Sequence, residues 1–126
     1  MLEMEYGATV SHKPILLANG FYKGIEYFIL NIGSHPTAYV KIPHGNKYWG
    51  SNGDEILTHC GITYTNTVLY LGDGEYSIGW ILGWDYAHSG DFYYSPLFPE
   101  PYGWDHVWCT SEIFEDVKFV INQVVG

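Results

Sequence analysis

Residues 62–85 read ITYTNTVLYLGDGEYSIGWILGWD, and this stretch decides the fold. Two runs rich in isoleucine, valine, threonine and aromatic residues lie on either side of Gly72-Asp73-Gly74, a sequence that favours a tight reversal of the chain. β-Branched and aromatic side chains favour extended strands. The stretch therefore predicts a β-hairpin in which residues near 61–63 lie opposite residues near 83–85.

The rest of the chain predicts a small α+β domain. Runs of the same composition at residues 25–32 and 37–42, bounded by turn sequences such as Asn19-Gly20, predict further strands of an antiparallel sheet. Apolar residues recur with helical spacing after Thr110 or Ser111, either of which can cap a helix. This apolar stripe consists of Ile113, Val117, Val120, Ile121 and Val124. We therefore predict one domain over residues 1–126, a mostly antiparallel β-sheet with a C-terminal α-helix packed on it.

Charge and hydropathy narrow the range of partners. The chain carries five lysines, no arginine and a formal net charge of -9, whereas nucleic-acid binders neutralise phosphates with clustered lysine and arginine. We expect no direct binding of nucleic acid. No apolar run approaches the ~20 residues that cross a bilayer, so we expect no membrane association and a cytosolic protein. Aromatic residues make up 18% of the chain, which predicts rings that line a pocket or a homo-oligomer interface.

The densest polar cluster, residues 84–91, reads WDYAHSGD and follows directly on the apolar strand of the hairpin. This strand delivers Asp85, His88 and Asp91 to the rim of the sheet, where solvent and substrate can reach them. Its partner strand begins close to His59. The position of the turn therefore predicts that His59 approaches Asp85 and His88, and we place the candidate site there.

Three interpretations of this cluster stay open. In a structural role, the aspartates and His88 bond to the backbone of turns. In a binding role, the carboxylates accept hydrogen bonds from ribose hydroxyls or base amines, while Trp84, Tyr86 and Trp104 stack on a ring. In a hydrolytic role, two imidazoles and two carboxylates hold a divalent ion, with zinc or manganese favoured over calcium, and activate water. No particular cofactor is implied.

Three segments of the chain resemble a family of small bacteriophage proteins. Residues 38–43 read AYVKIP, residues 59–64 read HCGITY and residues 79–91 read GWILGWDYAHSGD. The family pattern runs "AYV-x-IP", "HGGLTYS" and "WWIGFDxAHxGD", followed by a C-terminal helix, and the resemblance covers about residues 25–125. Its distinctive positions are His59, Gly61, Thr63, Asp85, His88 and Asp91, and Cys60 stands where the family has glycine. The resemblance implies a phage source and the cytoplasm of a bacterial host.

These observations lead to one expected function and two alternatives. We expect a phage-encoded protein that binds a small molecule, of nucleotide type, and sequesters it inside a homo-oligomer to counter host defence. A metal-assisted hydrolase of a nucleotide-like substrate and an acidic inhibitor of a host defence protein are the alternatives. The expected ligand contacts are His59, Thr63, Trp84, Asp85, Tyr86, His88, Asp91 and Trp104.

Overall fold

The computed structural model describes residues 14–33, 35–87 and 106–126. Five strands and one helix lie in these ranges: β1 (Ile15–Tyr22), β2 (Ile25–Asn31), β3 (Pro36–Ile42), β4 (Tyr64–Gly72), β5 (Glu75–Asp85) and α1 (Thr110–Val125). The strands form one sheet in the order β1-β2-β3-β5-β4, and every neighbouring pair is antiparallel. The predicted α+β class, an antiparallel sheet with a C-terminal helix, is confirmed.

Strands β4 and β5 form the predicted hairpin. Gly72 pairs with Glu75, and the two residues between them, Asp73 and Gly74, have φ angles of 53° and 78°. Two successive left-handed residues make the turn type whose twist matches that of the strands. At the far end Tyr64 lies opposite Gly83, so the predicted register is correct to within one residue.

Strand β1 was not among the predicted strands. The sequence Asn19-Gly20 predicts a turn, but both residues lie inside β1, and the reversal occurs at Lys23 and Gly24, whose φ angles are 51° and 80°. Gly20 pairs with Tyr27 across the sheet, and a Cβ at position 20 would lie 3.2 Å from the hydroxyl of Tyr27. The glycine therefore makes room for a neighbouring ring, and the turn prediction is wrong.

The connection from β3 to β4, residues 43–63, passes across the sheet because β5 lies between these two strands. It crosses on the face that carries α1. Ile56 is buried there in the same cluster as Leu82 and the helix, and Ile62 packs against that cluster. The connection therefore ends beside the last residues of β5.

Both faces of the sheet carry buried apolar side chains. On the helix face, Val40 and Leu82 belong to one cluster with the five residues of the predicted apolar stripe, all of which are buried. Burying side chains of this size contributes roughly 1.5–3 kcal/mol each. The cluster on the opposite face consists of Phe28, Leu30, Tyr39, Leu69 and Ile81. The sheet also curls, so that the end of β4 approaches the start of β1. A Cβ on Gly72, at the end of β4, would lie 2.4 Å from the carbonyl oxygen of Pro14, which precedes β1.

Candidate functional site

The end of β5 and the start of β4 meet at one edge of the sheet, as the hairpin register predicts. Thr63 donates its hydroxyl to Oδ2 of Asp85 at 3.4 Å and its N–H to the carbonyl of Gly83 at 2.9 Å. Oδ1 of Asp85 accepts from the N–H of Ala87 at 3.3 Å. Two predicted site residues are thus in contact, and the carboxylate is oriented. We call this end of the sheet the polar rim and define it by Thr37, Tyr39, Thr63 and Asp85, on the face opposite the helix, and by His59, which contacts Tyr86 of the helix-face cluster.

His59 lies in a tight turn that leads into β4. The N–H of Gly61 donates to the carbonyl of Thr58 at 3.2 Å, and Cys60 and Gly61 have φ angles of 57° and 89°. Glycine adopts these left-handed angles at the least cost. Cys60 therefore has a backbone angle that favours glycine.

Aromatic rings hold the imidazole of His59 at the rim. It stacks on the ring of Tyr86, with 4.7 Å between ring centroids and 19° between ring planes. The indole of Trp108 lies 4.9 Å from His59 and 4.8 Å from Tyr86, measured between centroids. His59 therefore contacts Tyr86, the residue that follows Asp85, on the helix face of the sheet, and its predicted approach to Asp85 and His88 stays a prediction.

Trp84 and Tyr86 lie under the rim in the core, with 1% and 0% of their surfaces exposed. The indole N–H of Trp84 donates to the Tyr86 hydroxyl at 2.9 Å, and this hydroxyl donates to Oδ2 of Asp116 in α1 at 2.6 Å. A buried ring has no free face for a ligand. This burial corrects the prediction that the two rings are walls on which a ligand stacks, because they instead join the end of β5 to the helix.

Two tyrosines that the sequence analysis did not select meet at the rim over Gly83. Tyr39 on β3 and Tyr64 on β4 both pair with this glycine, and their rings meet edge to face with centroids 5.1 Å apart. A Cβ at position 83 would lie 2.4 Å from Cδ2 of Tyr39. Glycine inside a strand often marks such a close approach, so Gly83 was the feature of the sequence from which this contact could have been predicted.

The phenol of Tyr39 stays protonated well above neutral pH. Burial raises the pKa of Tyr39, the hydroxyl of Thr37 opposes this change, and the charges of Tyr64 and Asp85 add to the rise in pKa. Thr37, which pairs with Asp85, is 4% exposed, and its hydroxyl oxygen has no hydrogen-bond partner of ordinary geometry. The rim therefore combines a neutral phenol, a buried hydroxyl and an oriented carboxylate.

The residues that lead into α1 place a second imidazole, that of His106, next to Trp108. The ring of His106 lies 4.4 Å from that of Trp108, and its Nε2 is 2.9 Å from Oε2 of Glu112. Glu112 also accepts a hydrogen bond from the N–H of Cys109, at 3.1 Å. Cys109 is the N-cap of α1, in place of the predicted Thr110 or Ser111. These contacts lower the pKa of Glu112, and the hydrogen bond from the Cys109 backbone has the largest effect.

Three of the predicted contacts, His88, Asp91 and Trp104, lie outside the described residues. Within residues 14–33, 35–87 and 106–126, no group of three or more His, Cys, Asp or Glu side chains is arranged to hold a metal ion. The predicted metal site used His88 and Asp91, so it also lies outside these ranges.

Comparisons with known proteins add no relatives. No family model, no curated protein and no solved structure matches the chain. In the described parts of the chain, no helix has both the length and the apolar character needed to cross a bilayer.

Proposed function

We propose that the protein binds a small molecule of nucleotide type at the polar rim and sequesters it. The observation that carries this proposal is the hydrogen bond between Thr63 and Asp85 at the meeting point of two adjacent strands, which presents a hydroxyl and an oriented carboxylate together. Such a carboxylate accepts hydrogen bonds from ribose hydroxyls or base amines, and a hydroxyl both donates and accepts. These are the groups that a nucleoside presents.

The polarity of the rim supports binding of the nucleoside part of the ligand. The rim has no cation among its defining residues, and the chain has no arginine for bidentate contact with phosphate. The neutral phenol of Tyr39 and the buried hydroxyl of Thr37 add hydrogen-bonding groups next to the carboxylate. Phosphates would be met by backbone N–H groups or by a bound cation.

The resemblance to small bacteriophage proteins supports a biological setting for this binding. In that setting the protein is made in the cytoplasm of an infected bacterium, and a homo-oligomer removes a nucleotide signal of the host defence. The two alternative functions make different predictions. A metal-assisted hydrolase would convert the nucleotide, and an acidic inhibitor with the net charge of -9 would bind a host protein instead.

Mass spectrometry of bound small molecules tests the proposal. The protein is purified from phage-infected cells and denatured, and the released molecules are identified for wild type, Asp85→Asn and the matched control Asp73→Asn. Asp73 is an exposed aspartate in the turn between β4 and β5, at the opposite end of the hairpin from the rim. We expect an intact nucleotide from wild type and control and at least ten-fold less from Asp85→Asn. Release of a hydrolysis product would support the hydrolase. A stoichiometric host protein with no small molecule would overturn the proposal.

A further inference from the structure

The loop of residues 47–55 lines a cavity of about 530 Å³. A smaller cavity says more about its ligand, because aromatic, cationic and anionic side chains line it. This smaller cavity has a volume of about 280 Å³ and lies at the other end of the sheet. Lys41, in its wall, is four residues along β3 from Thr37 of the polar rim, a separation of about 13 Å. We call it the aromatic pocket, and its lining includes Phe21, Glu26, Lys41, His44, Trp49 and Trp80.

Aromatic rings form one side of the aromatic pocket. The ring of Trp49 contacts those of His44 and Trp80, with centroid distances of 4.2 and 6.0 Å. The indole N–H of Trp80 donates to the carbonyl of Ser51 at 2.7 Å, which ties the loop that carries Trp49 to the sheet. Even so, Trp49 is 43% exposed and Phe21 is 70% exposed. A large apolar ring such as Trp49, which is held by its neighbours beside a cavity and still faces water, favours a bound planar group.

A hydrogen-bond donor and an acceptor lie side by side on another wall of the aromatic pocket. Nζ of Lys41 is 3.9 Å from Oε1 of Glu26 and donates to Oγ of Ser77 at 3.2 Å. The stem of the lysine lies across Gly79, where a Cβ would come within 2.6 Å of its Cε. Glycine at this position therefore lets Lys41 lie flat on β5, which directs its ammonium group towards Glu26 rather than into solvent.

We propose that the aromatic pocket binds a neutral nitrogen heterocycle of nucleobase type. The ring would stack on Trp49, an interaction that every base can make because every base has a π-face. Lys41 would donate to a ring nitrogen or an exocyclic oxygen, and Glu26 would accept from a neighbouring amino group. The volume lies at the lower end of the range of ligand pockets, which suits one ring system.

Other occupants fit these groups less well. A quaternary ammonium ion would also contact the rings, but the ammonium of Lys41 would repel it. An anion would be repelled by Glu26 and by the net charge of -9. A sugar could stack on Trp49 and bond to Lys41 and Glu26 through its hydroxyls, so glucose is the competitor that the test must exclude. The donor and acceptor pair therefore disfavours the two kinds of ion.

Calorimetric titration of the whole chain tests this inference with three ligands: adenosine, glucose and choline. We expect adenosine alone to bind. Purine riboside, which lacks the amino group of adenosine, should bind several-fold more weakly to wild type and as well as adenosine to Glu26→Met. Trp49→Ala should weaken adenosine binding roughly ten-fold or more, since stacking on one ring is lost. Phe21→Ala provides a second variant at a more exposed ring.

Two controls separate the aromatic pocket from the rest of the molecule. Tyr76→Ala removes a ring that is 60% exposed on the hairpin and should leave adenosine binding unchanged. Asp85→Asn disables the polar rim, so adenosine binding that persists in Asp85→Asn and is lost when Trp49→Ala is added belongs to the aromatic pocket. Three results would each overturn the inference: preference for glucose or choline, no binding of adenosine, or loss of adenosine binding in Asp85→Asn but not in Trp49→Ala. The last result would still support binding at the rim.

Discussion

The two ends of the sheet use aromatic rings in opposite ways. Under the polar rim, Trp84 and Tyr86 are buried, and their polar atoms form one chain of hydrogen bonds that ends at Asp116. At the aromatic pocket, Trp49 and Phe21 face water, although Trp49 is held in place by its contacts with His44 and Trp80. The comparison teaches that burial and hydrogen bonding distinguish a ring that stabilises the fold from a ring that is available to a ligand. The sequence composition alone does not separate the two kinds.

Truncating one tryptophan at each end gives the largest expected difference. Trp84→Ala should lower the free energy of unfolding by roughly 3–5 kcal/mol, because it leaves a cavity in the core and removes the indole N–H from the buried hydrogen-bond chain. Trp49→Ala should lower it by only about 1 kcal/mol, the value of its ring contacts. Urea unfolding followed by circular dichroism measures both. Equal losses would mean that Trp49 is as much a part of the core as Trp84.

Gly83→Ala tests the close packing of the polar rim with a smaller expected effect. The added Cβ would lie 2.4 Å from the Tyr39 ring and 2.9 Å from the carbonyl oxygen of Ala38, so the ring must move. We expect a loss of about 2–3 kcal/mol in the free energy of unfolding. The double variant with Tyr39→Ala should lose less than the sum of the two single changes. Simple additivity would contradict the contact between residues 39 and 83.

Local sequence features predicted the elements whose structure depends on local physics. The hairpin followed from Asp73-Gly74, and α1 followed from its apolar period, because both patterns determine the conformation of neighbouring residues. The hairpin register then brought Thr63 towards Asp85. The order of the strands depends on pairing between distant segments, and no local pattern predicted that β5 lies between β3 and β4. The meeting of Tyr39 and Tyr64 over Gly83 depends on that order and was missed for the same reason.

The burial of Trp84 and Tyr86 was open to prediction from the sequence. Successive side chains of a strand point to opposite faces of the sheet, so these two rings share one face and Asp85 lies on the other. Placing all three in one pocket conflicted with this alternation. Strand β1 was missed for a different reason, because Asn19-Gly20 has the composition of a turn and the need for glycine comes from the ring of Tyr27 on the next strand.

The smallest expected effect concerns the turn before β4, which carries His59 at the polar rim. Cys60 has a φ of 57°, a conformation that costs a side-chain-bearing residue roughly 1–2 kcal/mol and that glycine adopts readily. Cys60→Gly should therefore stabilise the protein by at most about 1 kcal/mol, since glycine also gains freedom in the unfolded chain. The measurement is the midpoint of urea unfolding.

Gly61→Ala is the matched control for this turn, because its φ is 89° and a Cβ there would meet no atom within 4 Å. Any loss of stability in Gly61→Ala, which we expect to be about 1 kcal/mol, is therefore a backbone effect alone. Opposite signs at positions 60 and 61 would show that the backbone of this turn limits the stability of the rim. If Cys60→Gly destabilises the protein instead, the thiol makes a contact that outweighs the strain of the backbone at this position.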